Sequence, residues 1–243
     1  MIGSGRALAL LACLLAGCSA GEGLHSDRLR SVIQQEESRF FTSPAPPSTK
    51  VLVPTTPALG FYLKPTGFLH REFDWTDRDR EIVLAWADGR RTEGLITNGR
   101  FVHQSSIKGD TFAELKASAA RHGADLLVIF DGAASVDRYN NYKAALWYWT
   151  IVGAYVADGT QSDALCLVNV TIWDVKTGTM IFSEEAEGRS QIVGPAAIVD
   201  DEQGVLTARR QALDKILELV AQRLRDRHKE PAMKPGQTEH RDK

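Results

Sequence analysis

Residues 164–174, ALCLVNVTIWD, constrain the fold more tightly than any other stretch, because Ala164, Cys166, Val168, Val170 and Ile172 recur at every second position. A period of two belongs to a strand, whose successive side chains point to opposite faces. Asn169 and Thr171 fall on the other side, so one face is expected to be covered and the other partly wet. The cover is supplied near the C-terminus, where Leu206, Leu213, Ile216, Leu217, Val220 and Leu224 form the apolar stripe of an amphipathic helix. Between the two, VKTGT at 175–179 is a hairpin signal leading into a further strand, MIFSEEAEG at 180–188.

Upstream, strand and helix signals alternate. KVLVPTTP at 50–57 reads as a short strand closed by prolines, and TDRDREIVLAWADGRR at 76–91 sets Ile82, Val83 and Trp86 at helical spacing behind an acidic first turn. The Asn98-Gly99 turn signal precedes a second strand candidate, RFVHQSSI. TFAELKASAARHG opens with a Thr111/Glu114 capping-box pair and stops at Gly123, and DLLVIFDGA at 125–133 is a strongly apolar strand. The order predicts a single α/β (α+β) domain over residues 51–228: strand, helix, strand, helix, strand, then an antiparallel meander and a C-terminal helix. Residues 229–243 are too charged and proline-broken to pack, and a disordered tail is expected there.

The chain begins with MIGSGRALALLACLLAGC, one basic residue, an apolar run from Ala7 to Leu15 and then small residues, the layout of a secretory signal. Leu15-Ala16-Gly17-Cys18 has the form of a bacterial lipobox, so residues 1–17 read as a lipoprotein signal peptide and Cys18 as the lipidated first residue of the mature protein. The run is too short to span a bilayer, which takes about 20 apolar residues as a helix. Several acyl chains, including palmitate, would then hold the protein on the membrane. Ser19, where an aspartate would signal inner-membrane retention, favours the outer membrane, facing the periplasm. Residues 18–50 end in TSPAPPSTK and read as a lipidated tether, within which LRSVIQQEESRFF suits either a short helix or a loose arm.

Lipidation also settles the cysteines. Cys13 leaves with the signal and Cys18 takes the lipid, so Cys166 has no mate and the fold stands on its own core. Lys and Arg number 29 against 31 Asp and Glu, a formal net charge of −2, which offers nucleic acid no attraction.

Chemistry-bearing motifs are sparse. The six histidines never fall at metal-ligand spacing, and no C-x-x-C, G-x-S-x-G, P-loop or G-x-G-x-x-G occurs. Asp131 and Asp137 could be imagined as paired carboxylates, but solvated loop acids are the plainer reading. Cys166, inside an apolar strand face, is expected to be buried and inert. No cofactor, no metal and no enzymatic activity are predicted.

The densest feature is aromatic. Four of the five tyrosines and two of the five tryptophans lie between Tyr139 and Tyr155. Residues 145–156 are apolar on both alternating sets, Trp147, Trp149, Ile151 and Tyr155 against Leu146, Tyr148, Val152 and Val156, and Asp158-Gly159 follows as a turn. An inner strand or hairpin arm is expected, with Trp147, Tyr148, Trp149 and Tyr155 left as a contact surface. The double-sided pattern counts against a water-filled pore, whose strands alternate apolar and polar. The run is too short to cross a bilayer as a helix, though such a cluster suits a membrane interface.

Tyr148 to Tyr155, YWTIVGAY, together with VLVPTTP, HGADLLVIFDGA and DVKTGTMIF, resembles the rhombotarget lipoproteins, a bacterial family of unknown biochemical activity, over residues 51–191. That family is associated with rhombosortase, whose substrates end in a Gly-Gly motif, an apolar helix and basic residues; the polar end of this chain does not carry that pattern. At fold level the element order is similar to curli-secretion lipoproteins and to the N-terminal domain of Tol-system propeller proteins. The resemblance implies a non-catalytic envelope lipoprotein that contacts other envelope proteins or copies of itself, or alternatively a component of an outer-membrane pore or secretion assembly.

Overall fold

The computed structural model describes residues 23–40, 54–65, 73–103, 105, 107, 111–148, 150 and 152–229. Its elements are α1 (Ser26–Phe40), β1 (Ala58–Leu63), α2 (Asp77–Thr92), β2 (Asn98–Phe101), α3 (Phe112–Arg121), β3 (Leu126–Asn140), α4 (Tyr142–Trp147), α5 (Gly153–Val156), β4 (Thr160–Asp174), β5 (Met180–Gly194) and α6 (Asp201–Lys229). The strands form one open sheet in the order β2-β1-β3-β4-β5. β1 runs parallel to both β2 and β3, because each connection crosses over through a helix, whereas β3, β4 and β5 are joined as antiparallel ribbons. This is the mixed α/β sheet with closing helix that the element order predicts.

Residues 54–57 of the strand expected at 50–57 are irregular. Residues 51–53 lie outside the described residues, and β1 follows Pro57 as ALGFYL, buried at every position. A strand covered on both faces has no alternation to reveal it. Leu59, Phe61 and Leu63 point toward α2 and α6, and Tyr62 points toward α3. Asp77 and Asp79 lie in the first turn of α2, where Thr76 and Asp79 close a capping box that satisfies two backbone N–H groups. Thr111 accepts the Glu114 N–H at the start of α3, and Gly123, at φ 71°, ends that helix turn.

β4 has the predicted period, and both of its faces are covered. Ala164, Cys166, Val168, Val170 and Ile172 meet Ala208, Ala212, Leu213, Ile216 and Val220 of α6. Burial of each large aliphatic side chain here is worth about 1.5–3 kcal/mol. Leu206 is not part of that stripe, being 36% exposed; Val205 and Ala208 take its place. The contact is close at Gly188 of β5, where an added Cβ would lie 1.9 Å from the Ala208 carbonyl oxygen.

The expected wet face is dry. Leu165 and Leu167 pack with Leu29 and Ile33 of α1, which falls within the stretch read as tether. Asn169 is buried there and donates from Nδ2 to Glu37 of α1 at 2.5 Å. Arg30 grips Glu185 of β5 through Nε at 2.9 Å and Nη2 at 2.5 Å. The arm is thus a helix docked on the sheet, of the two forms its sequence allowed.

Two ion pairs are buried. Lys64 Nζ meets Asp131 Oδ2 at 2.5 Å, and Arg209 Nε meets Asp79 Oδ2 at 3.2 Å while Arg209 Nη1 donates to the Asp74 carbonyl. The second ties α6 to the N-terminus of α2, across the same face of the sheet. No described helix is long and apolar enough to cross a membrane. The predicted tail lies outside the described residues beyond Lys229.

Candidate functional site

β3 and β4 pair continuously from Leu126↔Asp174 to Asn140↔Thr160. At about 3.4 Å per residue this ribbon is close to 50 Å long. β1 covers only Leu126 to Phe130, so the rest of the ribbon reaches beyond the parallel part of the sheet. At its tip the chain makes an excursion over residues 141–159, and this excursion holds the aromatic run.

The described residues of the run form no strand. α4 and α5 occupy it, which corrects the expectation of an inner strand or hairpin arm over residues 145–156. Asn141 caps α4, its Oδ1 accepting the Lys143 N–H at 2.9 Å. Its Nδ2 donates to the Asp158 carbonyl at 3.0 Å and its N–H to the Gly159 carbonyl at 2.8 Å, so one residue closes both ends of the excursion. The excursion needs glycine at two places: a Cβ on Gly153 would sit 1.9 Å from the Trp147 carbonyl oxygen, and one on Gly159 would sit 2.7 Å from Ala144 Cα.

The four aromatic residues singled out by the sequence do not share one role. Trp147 ends α4 and Tyr155 lies in α5, 56% and 59% exposed. Tyr148 is half-buried and acts as a clamp. Its hydroxyl donates to the Ala157 carbonyl at 3.2 Å, lies 3.0 Å from Thr160 Oγ1, and accepts the Ala196 N–H at 3.1 Å. Trp149 and the lipidation site Cys18 lie outside the described residues.

Residues the sequence reading did not single out complete the surface. The Ala196 and Ala197 N–H groups bond to Tyr148 and to the Ala154 carbonyl, which brings the β5–α6 connection against the excursion. Of the eleven large hydrophobic residues exposed among the described ones, eight belong to this tip: Tyr142, Leu146, Trp147, Val152, Tyr155 and Val156, with Val193 and Ile198 beside them. Only Leu84, Met180 and Leu206 are elsewhere. Exposure is thus concentrated at one place and not scattered over the surface. The readable signal was Asn141, a helix cap standing directly before the apolar run.

On the α1 side of the same end, a cleft of about 650 Å³ is lined by Gly23, Asp137, Tyr139, Asp163, Arg189 and Gln191. Asp163 is spoken for, accepting from Tyr139 Oη at 3.0 Å and from Gln191 Nε2 at 2.9 Å. Burial, then the hydrogen bond to Asp163, raises the Tyr139 phenol above its ordinary range. Gly23 donates its N–H to Asp137 Oδ2 at 2.8 Å, fixing where the N-terminal segment joins the body.

Asp131 and Asp137 do not form a carboxylate pair. Six residues apart on one strand, they are separated by about 20 Å, and Asp131 is engaged by Lys64. Cys166 is fully buried, and burial pushes its thiol up to about 12, far from the thiolate a nucleophile needs. No group of three or more His, Cys, Asp or Glu among the described residues is placed to hold a metal ion.

The sequence matches no protein family and no curated protein. Several solved structures overlap the chain loosely. A neuraminyllactose-binding hemagglutinin homolog from Helicobacter pylori shares 13% identity over 75% of this chain and 93% of its own, with a TM-score of 0.39. The PelC dodecamer from Paraburkholderia phytofirmans shares 14% over 70% and 90%, at 0.31. Lipoprotein GNA1162 from Neisseria meningitidis shares 9% over 70% and 97%, at 0.28. The neighbours thus include a bacterial lipoprotein, but at these scores the overlap says nothing about activity, ligand or assembly.

Proposed function

We propose that this chain is an envelope lipoprotein, tethered through acyl chains on Cys18, that works by presenting a contact surface and not by turning over a substrate. The observation that carries the reading is the collection of eight of eleven exposed large hydrophobics at the tip of the β3–β4 ribbon. The excursion is held by Asn141, Tyr148 and two glycines, so Trp147 and Tyr155 are displayed on a framework that does not depend on them. Large rigid aromatics at low entropic cost are what contact surfaces use.

Site-specific photocrosslinking in intact cells tests this. A photoreactive residue at position 147 or 155 is expected to give adducts, while one at Lys176, in the hairpin at the opposite end of the ribbon, gives none. Adducts from Lys176 and none from 147 or 155 would place the working surface elsewhere. Cys18→Ser, which removes the acylated thiol, is expected to abolish lipid labelling and release the body from membranes. The outer membrane facing the periplasm is the proposed location, on the strength of Ser19.

A further inference from the structure

We infer that the tip formed by Tyr142, Trp147, Val152, Tyr155, Val156 and Ile198 rests in the interfacial layer of the same lipid surface that holds the acyl chains of Cys18. The inference rests on the tethered-lipoprotein reading and names the occupant of its contact surface.

The argument starts from where the chain leaves the body. Gly23 follows Cys18 by five residues and is pinned to Asp137 of β3. Five extended residues span at most about 18 Å. Asp137 in turn lies four residues before Asn141, or about 14 Å along the strand. The lipid and the apolar tip are therefore confined to one end of the molecule. A tether this short keeps the tip at high effective concentration at the bilayer surface, so even weak affinity is satisfied without a further loss of freedom.

The tip's chemistry fits that layer. Trp and Tyr are the residues enriched where a polar phase meets hydrocarbon, and the tip adds aliphatic side chains and an exposed Lys143. α4 and α5 are too short to enter further. Among the described residues the opposite end bears no comparable patch: it carries the Val175–Thr179 turn with exposed Lys176 and the last turn of α6, with Arg227, His228 and Lys229. α6 begins at the tip, where Asp201 meets Arg138 at 3.2 Å, and runs away from it for 29 residues, about 43 Å. The body would stand on its tip, with the end of α6 turned away from the membrane.

The test uses the acylated full chain reconstituted in phosphatidylethanolamine/phosphatidylglycerol vesicles, with nitrobenzoxadiazole on Trp147→Cys, Tyr155→Cys or Lys176→Cys. The label goes only to the introduced thiol, since Cys166 is buried and Cys18 carries lipid. Nitroxide placed on the lipid chains is expected to quench the labels at 147 and 155 several-fold more than at 176, and an aqueous quencher to act in the reverse order. Equal quenching at all three positions overturns the inference. Crosslinking in cells then tells which reading failed: protein adducts at 147 with equal quenching leave the contact surface standing and replace its occupant, whereas no adducts of any kind remove both.

Discussion

β4 and the excursion at residues 141–159 are comparably apolar, and they end in opposite environments. In β4 every residue from Ala164 to Asp174 is buried, while in the excursion Tyr142, Trp147, Val152, Tyr155 and Val156 are all more than half exposed. Hydrophobicity alone does not separate them. The difference lies in what each face meets: one side of β4 meets α6 and the other meets α1 and α3. Among the described residues of the excursion, Ala144, Gly153 and Gly159 are buried and Tyr148 is clamped, while Tyr142, Leu146, Trp147, Val152, Tyr155 and Val156 face outward. Comparable apolarity is thus buried in one region and displayed in the other.

The comparison is broken most severely at Gly188. Its missing Cβ allows Ala208 and Ala212 of α6 to lie directly on the sheet opposite Cys166. Gly188→Val should cost about 3 kcal/mol or more, because the obstacle is helix backbone and cannot rotate away. Chemical denaturation should show the loss as a lower midpoint, accompanied by reaction of the otherwise silent Cys166 with a thiol reagent. An unchanged midpoint would mean that α6 does not sit where β4 needs it.

At the tip the largest effect is expected from Tyr148, whose hydroxyl is bonded inward. Tyr148→Phe removes a hydroxyl that serves Ala157, Thr160 and Ala196, and leaves polar groups short of a partner at a cost of about 1–3 kcal/mol. Amide hydrogen exchange should quicken across residues 153–160 and 195–199 before it does in β4. If exchange there is unchanged, the hydroxyl does not hold the excursion.

Trp147→Ala and Tyr155→Ala should instead leave stability within about 0.5 kcal/mol of the parent, as for exposed positions with no structural duty. Measured against a core tryptophan, whose truncation costs about 3–5 kcal/mol, this separates display from packing. A large loss in either variant would return the excursion to the core.

These outcomes bear on what could be read from the sequence. The helices α2 and α3 and the stripe of α6 were legible because each has a covered and an uncovered side, and the period of β4 because Asn169 and Thr171 mark one face of an otherwise apolar run. β1 was missed and the excursion misassigned because ALGFYL and AALWYWTIVGAYVA show no polar-apolar contrast, the first being buried at every position and the second mixing buried Ala144 and Gly153 with exposed Trp147 and Tyr155. Of the candidate site, Trp147 and Tyr155 were found by composition. Val193, Ile198 and the junction of Gly23 with Asp137 depend on contacts between distant segments, which no local pattern contains.

An effect of the opposite sign probes the second face of β4, the one expected to be wet. Glu37 of α1 lies over Asn169, and its carboxyl titrates above its ordinary 4.5, chiefly because burial disfavours the charge and Asp131 repels it. Lys64 and the hydrogen bond from Asn169 pull the other way without prevailing. The folded state therefore holds this proton more tightly than the unfolded chain does. Glu37 contributes stability that is full below 4.5 and lost as pH rises through its folded value. Glu37→Gln fixes the uncharged form and keeps an oxygen to accept from Asn169. It should be more stable than the parent at neutral pH, by under about 1 kcal/mol since the group is only half-buried and solvent screens it. The advantage should close as both proteins are titrated below 4.5. A parent more stable than the variant at neutral pH would show that the pull of Lys64 outweighs burial, and that α1 covers β4 through charge and not through a dry contact.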